Sequence, residues 1–235
     1  IELPTGYGKT TISQTISIYS IVKELKAIVT YPLRSLLEQQ YGKKFKSLLS
    51  KIRNKYGLAS GYLGKRYMHN PESLFLIRPV TLTTIDTLSL TLMGIPPEEM
   101  DKVVRYWSGT IYGSLGHFIF SWSSILFSNI VADEVHLIAD VTKSLAFLIA
   151  LIKMAIDNHM HLLLMSATIP DAILRAIFNY LDKEERKRVM VIRFAPKLDS
   201  QYIGDVECRC VFDEVFIKER ANKDYTLELR SIPSE

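Results

Sequence analysis

The chain has 235 residues, 48% hydrophobic and 23% charged, with a formal net charge of +4. This composition can bury a core in one domain, or in one domain with an appendage, and it excludes global disorder. The two cysteines, Cys208 and Cys210, stand too close together for a disulfide framework, so a reducing, cytoplasmic setting is expected, and the mild basic excess is compatible with a polyanionic partner.

Ile1 lies just before a glycine-bearing loop. Such a loop is ordinarily entered from a strand, so residues further upstream are expected. Thr10 to Leu25 reads as a helix with Ile12, Ile16, Tyr19 and Val22 on one stripe. Ala27 to Tyr31 is a compact apolar strand ended by Pro32, and Leu33 to Leu49 is a second helix striped by Leu36, Leu37, Tyr41, Phe45, Leu48 and Leu49. Val80 to Thr84 is a β-branched strand leading to Asp86. Residues 94 to 127, with Pro96, Pro97 and many aromatics, read as a helical insertion. The strand Asn129 to Ala132 ends at two acids, and the strand His161 to Met165 ends at Ser166. Ser144 to Ile156 is an apolar helix interrupted by Lys153. It is too short to span a bilayer of roughly 30 Å, so no membrane partner is expected. Asp171 to Leu181 is a further helix started by Pro170.

The strands lack alternation, as central parallel strands covered on both faces do. The expectation is an α/β domain over residues 1–195 with a mostly parallel sheet flanked by helices. Residues 196–235 form a β-rich extension, in which Val206 to Phe212 and Tyr225 to Arg230 alternate like half-exposed strands.

The strongest local signal is Pro4-Thr5-Gly6-Tyr7-Gly8-Lys9-Thr10-Thr11. A triphosphate needs backbone N–H groups aimed at its oxygens, a cation beside the β and γ phosphates and a hydroxyl on magnesium. Glycines and a helix N-terminus supply the first, Lys9 the second and Thr10 the third. Leu3 stands where the eight-residue pattern wants its first glycine. The plain alternative is a glycine-rich turn before a helix.

Asp133-Glu134-Val135-His136 follows directly on a strand. There Asp133 would hold magnesium and Glu134 would polarise an attacking water. An acid pair in that place is otherwise a helix N-cap. Ser166-Ala167-Thr168 follows the next strand, within reach of the acidic segment.

Phosphate loop, D-E-x-H box and S-A-T, in this order and each at a strand end, resemble motifs I, II and III of superfamily 2 helicases. The chain is more closely similar to the helicase of type I CRISPR interference, through Leu3 to Thr10, Thr84-Ile85-Asp86, and the stretch from Gly116-His117-Phe118 through Phe127 to the D-E-V-H box. The resemblance implies the first RecA-like lobe of a motor that uses ATP and magnesium. Lys9, Asp133 and Glu134 would be catalytic, Thr5 to Thr11 would bind ATP, Thr10 and Asp133 would take the metal, and His136, Ser166 and Thr168 would couple the motifs. It places Arg34, Thr84 and Asp86 on single-stranded DNA, or RNA. Leu33 stands where relatives commonly carry threonine. It also implies a second RecA-like lobe, a CRISPR effector complex and an HD-type nuclease as partners. No His-Asp dipeptide and no Q-x-x-G-R-x-x-R pattern occurs in the sequence. The segment alone is therefore expected to turn over ATP very slowly.

Other readings stay open. The plain alternative for Arg34 is a solvated helix charge. The eight basic residues between Gly42 and Arg66 suit a phosphate backbone or the wet face of an amphipathic helix. The aromatics from Tyr106 to Phe127 suit packing or a partner more than base stacking. His159 with His161, and Cys208 with Cys210, lack ordinary zinc spacing. The rival functions are a repair or RNA helicase of the same superfamily and a nucleotide-dependent scaffold without hydrolysis.

Overall fold

The computed structural model describes residues 1–56, 61–68, 70, 72–95, 99–112, 116, 118–139, 142–195, 201–203 and 205–221. Pro96, Pro97, His117 and the alternating segment Tyr225 to Arg230 lie outside them. In chain order the elements begin with α1 (Lys9–Val22), β1 (Lys26–Tyr31), α2 (Arg34–Gln40), a π turn (Tyr41–Phe45), α3 (Lys46–Tyr56) and β2 (Leu63–Arg66). Next come β3 (Val80–Thr84), α4 (Ile85–Leu92), α5 (Met100–Trp107), α6 (Phe118–Leu126) and β4 (Ser128–Ala132). The rest are α7 (His136–Ala139), α8 (Thr142–Asp157), β5 (Leu162–Leu164), α9 (Asp171–Asn179), α10 (Lys183–Arg186), β6 (Val191–Phe194), β7 (Gln201–Ile203), β8 (Val206–Val211) and α11 (Glu214–Ala221).

Five parallel strands form a sheet in the order β2-β3-β1-β4-β5, and a smaller sheet runs β6-β8-β7. Glu2 bridges Ser166 and Arg193 in parallel, so residues 1–3 lie where a strand between the two sheets would lie. Leu3 N–H donates to Ser166 O at 3.0 Å, and Glu2 N–H donates to Ile192 O at 2.8 Å. The fold is thus the RecA-like α/β arrangement, with the carboxyl ends of all strands but β7 on one edge. β1 and β3 are buried on both faces, which explains their unbroken apolar and β-branched composition.

The helices depart from the sequence reading in two instructive ways. In α1 the buried face is Ser13, Ser17, Ser20 and Ile21, whereas Tyr19 and Val22 are more than half exposed. Small side chains let the helix sit close on the sheet, so the hydrophobic stripe points partly away from it. The second helix runs on to Tyr56 through the π turn. Its core residues Leu37, Tyr41, Phe45 and Leu49 repeat every four positions. An ideal α-helix rotates about 400° over four residues, and one wider turn returns the drifting stripe to the core.

The insertion is helical, as α5 and α6. Val103, Phe118 and Ile125 pack inward, while Trp107, Phe120, Trp122 and Phe127 are exposed. The alternating segment at Val206 joins the smaller sheet. As β8 it pairs parallel with β6 and antiparallel with β7, its buried and exposed residues alternating as its composition demands. The basic stretch is also not one patch. Lys43, Lys44, Lys46, Lys51 and Arg53 are exposed on the long helix, but Lys65 is paired with Glu38 and Arg66 is buried on β2. No helix among the described residues is long and apolar enough to cross a membrane.

Candidate active site

The site assembles on the carboxyl edge of the sheet. Tyr7 N–H donates to Pro4 O at 3.2 Å, closing a turn that carries Gly6 at φ +87° and Gly8 at φ +101°. Both angles lie in the left-handed region that side chains disfavour, which is why glycine stands there. Gly8 is the N-cap of α1, and no side chain caps that helix end. Thr11 N–H is taken up by Gly8 O at 2.8 Å, which leaves the first N–H groups of the helix, at Lys9 and Thr10, to face an anion. A Cβ at Gly6 would meet no atom within 4 Å, so the loop is open on that side. Thr5 is exposed at its start.

Lys9 is 93% buried, and its Nζ donates to Leu3 O at 3.1 Å and lies 3.7 Å from Glu134 Oε1. Asp133 follows β4, fixed by its N–H donating to Thr30 O at 3.0 Å. Its carboxyl is 5% exposed and accepts from Glu134 N–H at 3.0 Å. Burial, and then the adjacent Glu134 charge, push the Asp133 pKa up to about 6. Glu134 itself is held at φ +54°, an uncommon conformation for a side-chain-bearing residue, by β4 before it and by Val135 N–H on Met165 O after it. Its Oε2 accepts no hydrogen bond among the described residues and lies 3.4 Å from His136 Nδ1. That same nitrogen is 3.0 Å from Ser166 Oγ, whose hydroxyl donates to Thr168 O at 2.8 Å.

Lys9, Asp133, Glu134, His136 and Ser166 thus form one contiguous polar corner. Two carboxylates and a buried lysine stand beside the glycine turn and the start of α1. Further along the same edge stand the three residues expected on nucleic acid. Arg34 opens α2, with its guanidinium 4.6 Å from the centroid of the Tyr67 ring. Thr84 lies opposite Tyr31 in the ladder, and its hydroxyl is engaged in capping α4 through Thr87. Asp86 is exposed in the first turn of α4.

Three partners were not legible in the sequence. Leu3 supplies a backbone carbonyl, which no motif advertises. Glu38 receives Lys65 at 2.8 Å and also Tyr67, setting the surroundings of Arg34. Tyr7 donates its hydroxyl to Asp213, 206 positions away. The weak histidine and cysteine pairs serve local ends: His161 faces Asn129, His159 faces Arg188, and Cys208 lies in an apolar cluster.

Residues 1–177 match the DEAD/DEAH box helicase family, and the chain belongs to it. No curated protein sequence matches the chain. Among solved structures it is similar to T. fusca Cas3 crystallised with AMPPNP, at 16% identity and a TM-score of 0.51 over 75% of this chain. The ADP form of the same protein aligns at 15% identity and a TM-score of 0.51 over 80% of this chain. In each case the chain spans only 20% of the Cas3 chain, and at such identity the likeness concerns the fold.

Proposed function

We propose that this chain is the first motor lobe of an ATP-dependent DNA translocase of the type I CRISPR interference kind. The observation that carries the reading is the convergence of Lys9, Asp133 and Glu134 beside the open Gly6–Gly8 turn. Residues Thr5 to Thr11 would cradle the phosphates, with Lys9 leaving the Leu3 carbonyl for the β and γ oxygens. Glu134 is the base: its Oε2 has no hydrogen-bond partner among the described residues, and Lys9 Nζ stands 3.7 Å from its Oε1. A buried carboxyl whose ionisation is opposed by its surroundings suits a cation, so Thr10 and Asp133 are the residues that would hold magnesium. When bound, that ion supplies positive charge against the phosphates. His136 and Ser166, already in contact, would report nucleotide state to the Ser166–Thr168 segment.

Arg34, Thr84 and Asp86 would meet single-stranded DNA on the same edge, Thr84 chiefly by setting the start of α4. Arginines completing the phosphoryl-transfer site would come from a second RecA-like lobe, and the effector complex and an HD-type nuclease would be the larger partners. The test is ATPase activity of the complete natural protein with and without single-stranded DNA. Lys9→Ala should abolish turnover. Glu134→Gln should lower it by about 10² to 10⁴ while retaining nucleotide. Turnover untouched by both substitutions refutes the proposal.

A further inference from the structure

We infer that Asp213, with Phe216 behind it, positions the phosphate loop for nucleotide through Tyr7; the inference rests on the ATP-binding reading above. Tyr7 is the one loop residue between the two left-handed glycines, so its side chain decides how the loop lies. It is held on three sides. Its hydroxyl donates to Asp213 Oδ2 at 3.3 Å, and its ring meets Phe194 edge-on at 5.2 Å and Phe216 at 4.9 Å. Phe194 and Phe216 pack on each other at 5.6 Å, closing a three-ring cluster beneath the loop. Desolvation and the Asp213 carboxylate hold the Tyr7 phenol above its ordinary pKa, so it remains a donor.

Sheet topology explains how so distant a residue reaches the loop. β8 runs parallel to β6 with Phe194 opposite Val211, and Ala195 N–H donates to Val211 O at 2.9 Å. The turn after β8 therefore emerges on the edge where the phosphate loop lies. Asp213 has two tasks there: Oδ2 receives Tyr7 while Oδ1 accepts Phe216 N–H at 2.9 Å, fixing the start of α11. α11 buries none of its own residues completely, and Phe216 seats it against Tyr7 and Phe194. Loop and helix hold one another in place. An ordered loop loses less conformational freedom when it closes on a triphosphate, and that gain is read in KM.

The experiment is steady-state ATPase of the complete natural protein against ATP concentration, for Asp213→Ala, Tyr7→Phe and the pair together. Tyr7→Phe keeps the ring and its packing, so folding is not at issue for that variant. Each single change should raise KM for ATP about fivefold, with the effect falling on KM rather than kcat, as loss of one long hydrogen bond to a charged acceptor warrants. The double variant should be no worse than either single one. A merely structural cap on α11 would leave Tyr7→Phe silent and make the two effects add, and either result overturns the inference. Lys9-dependent turnover with KM unmoved sinks this inference alone. A wild-type protein without ATPase activity sinks the ATP-binding reading and this inference with it.

Discussion

Asp133→Asn should stabilise the fold and, on the proposed reading, abolish ATP turnover. Asp133 is 95% buried, and its pKa stands at about 6 against an ordinary 3.8. Keeping the carboxylate ionised at neutral pH therefore costs the fold about 3 kcal/mol. Asparagine preserves the volume and the acceptor for Glu134 N–H, so most of that penalty should be relieved, about 1–3 kcal/mol allowing for the lost attraction to Lys9 and His136. The pH dependence follows from the upward direction of the shift. Below about pH 4 the carboxyl is protonated both folded and unfolded, and the variant should gain nothing. The gain should grow between about pH 4 and pH 6 and be complete above that. Thermal unfolding by circular dichroism at pH 4.5 and pH 7.5 checks this. For a chain of this size each kcal/mol moves Tm by about 2–4 °C, so the variant should melt several degrees higher at pH 7.5. A variant that melts lower than wild type at pH 7.5, or a difference that does not change with pH, refutes the reasoning.

The other predictions concern single contacts. Tyr31→Phe removes a fully buried hydroxyl that has no hydrogen-bond partner among the described residues, so urea unfolding should find the variant equal to wild type or up to about 1 kcal/mol more stable. Arg193→Met strips a half-buried charge from Glu2 and Asp171, which approach it at 2.5 and 2.8 Å; it should lose about 2 kcal/mol in the same assay. In the complete protein, Arg34→Ala should raise the single-stranded DNA concentration that half-stimulates ATPase about tenfold, and raised salt should narrow the gap between the two proteins. An unchanged half-stimulating concentration would return Arg34 to an ordinary surface charge stacked on Tyr67.

The central strands were legible because burial on both faces leaves an unbroken apolar or β-branched run, as in Ala27 to Tyr31 and Val80 to Thr84. β2 was not, because this short edge strand carries Lys65 and Arg66 and reads as part of a basic stretch. The buried face of α1 was misread because periodicity weighs hydrophobicity, while close approach to a sheet selects serine. The polar corner could be assembled in advance from Lys9, Asp133, Glu134 and Ser166, since each follows a strand end and parallel strands discharge at one edge. Asp213 had no such signal. Its position beside Tyr7 depends on β8 turning back to pair with β6, and nothing in the local composition encodes that return.

The narrow seam at Glu2 has a mechanical meaning. One residue, stitched to Ser166 on one side and Arg193 on the other, is the bridge between the two sheets, and the chain passes from it directly into the glycine turn. A displacement of β6 and β8 therefore has a direct route into the glycine turn, alongside the contact of Asp213 with Tyr7.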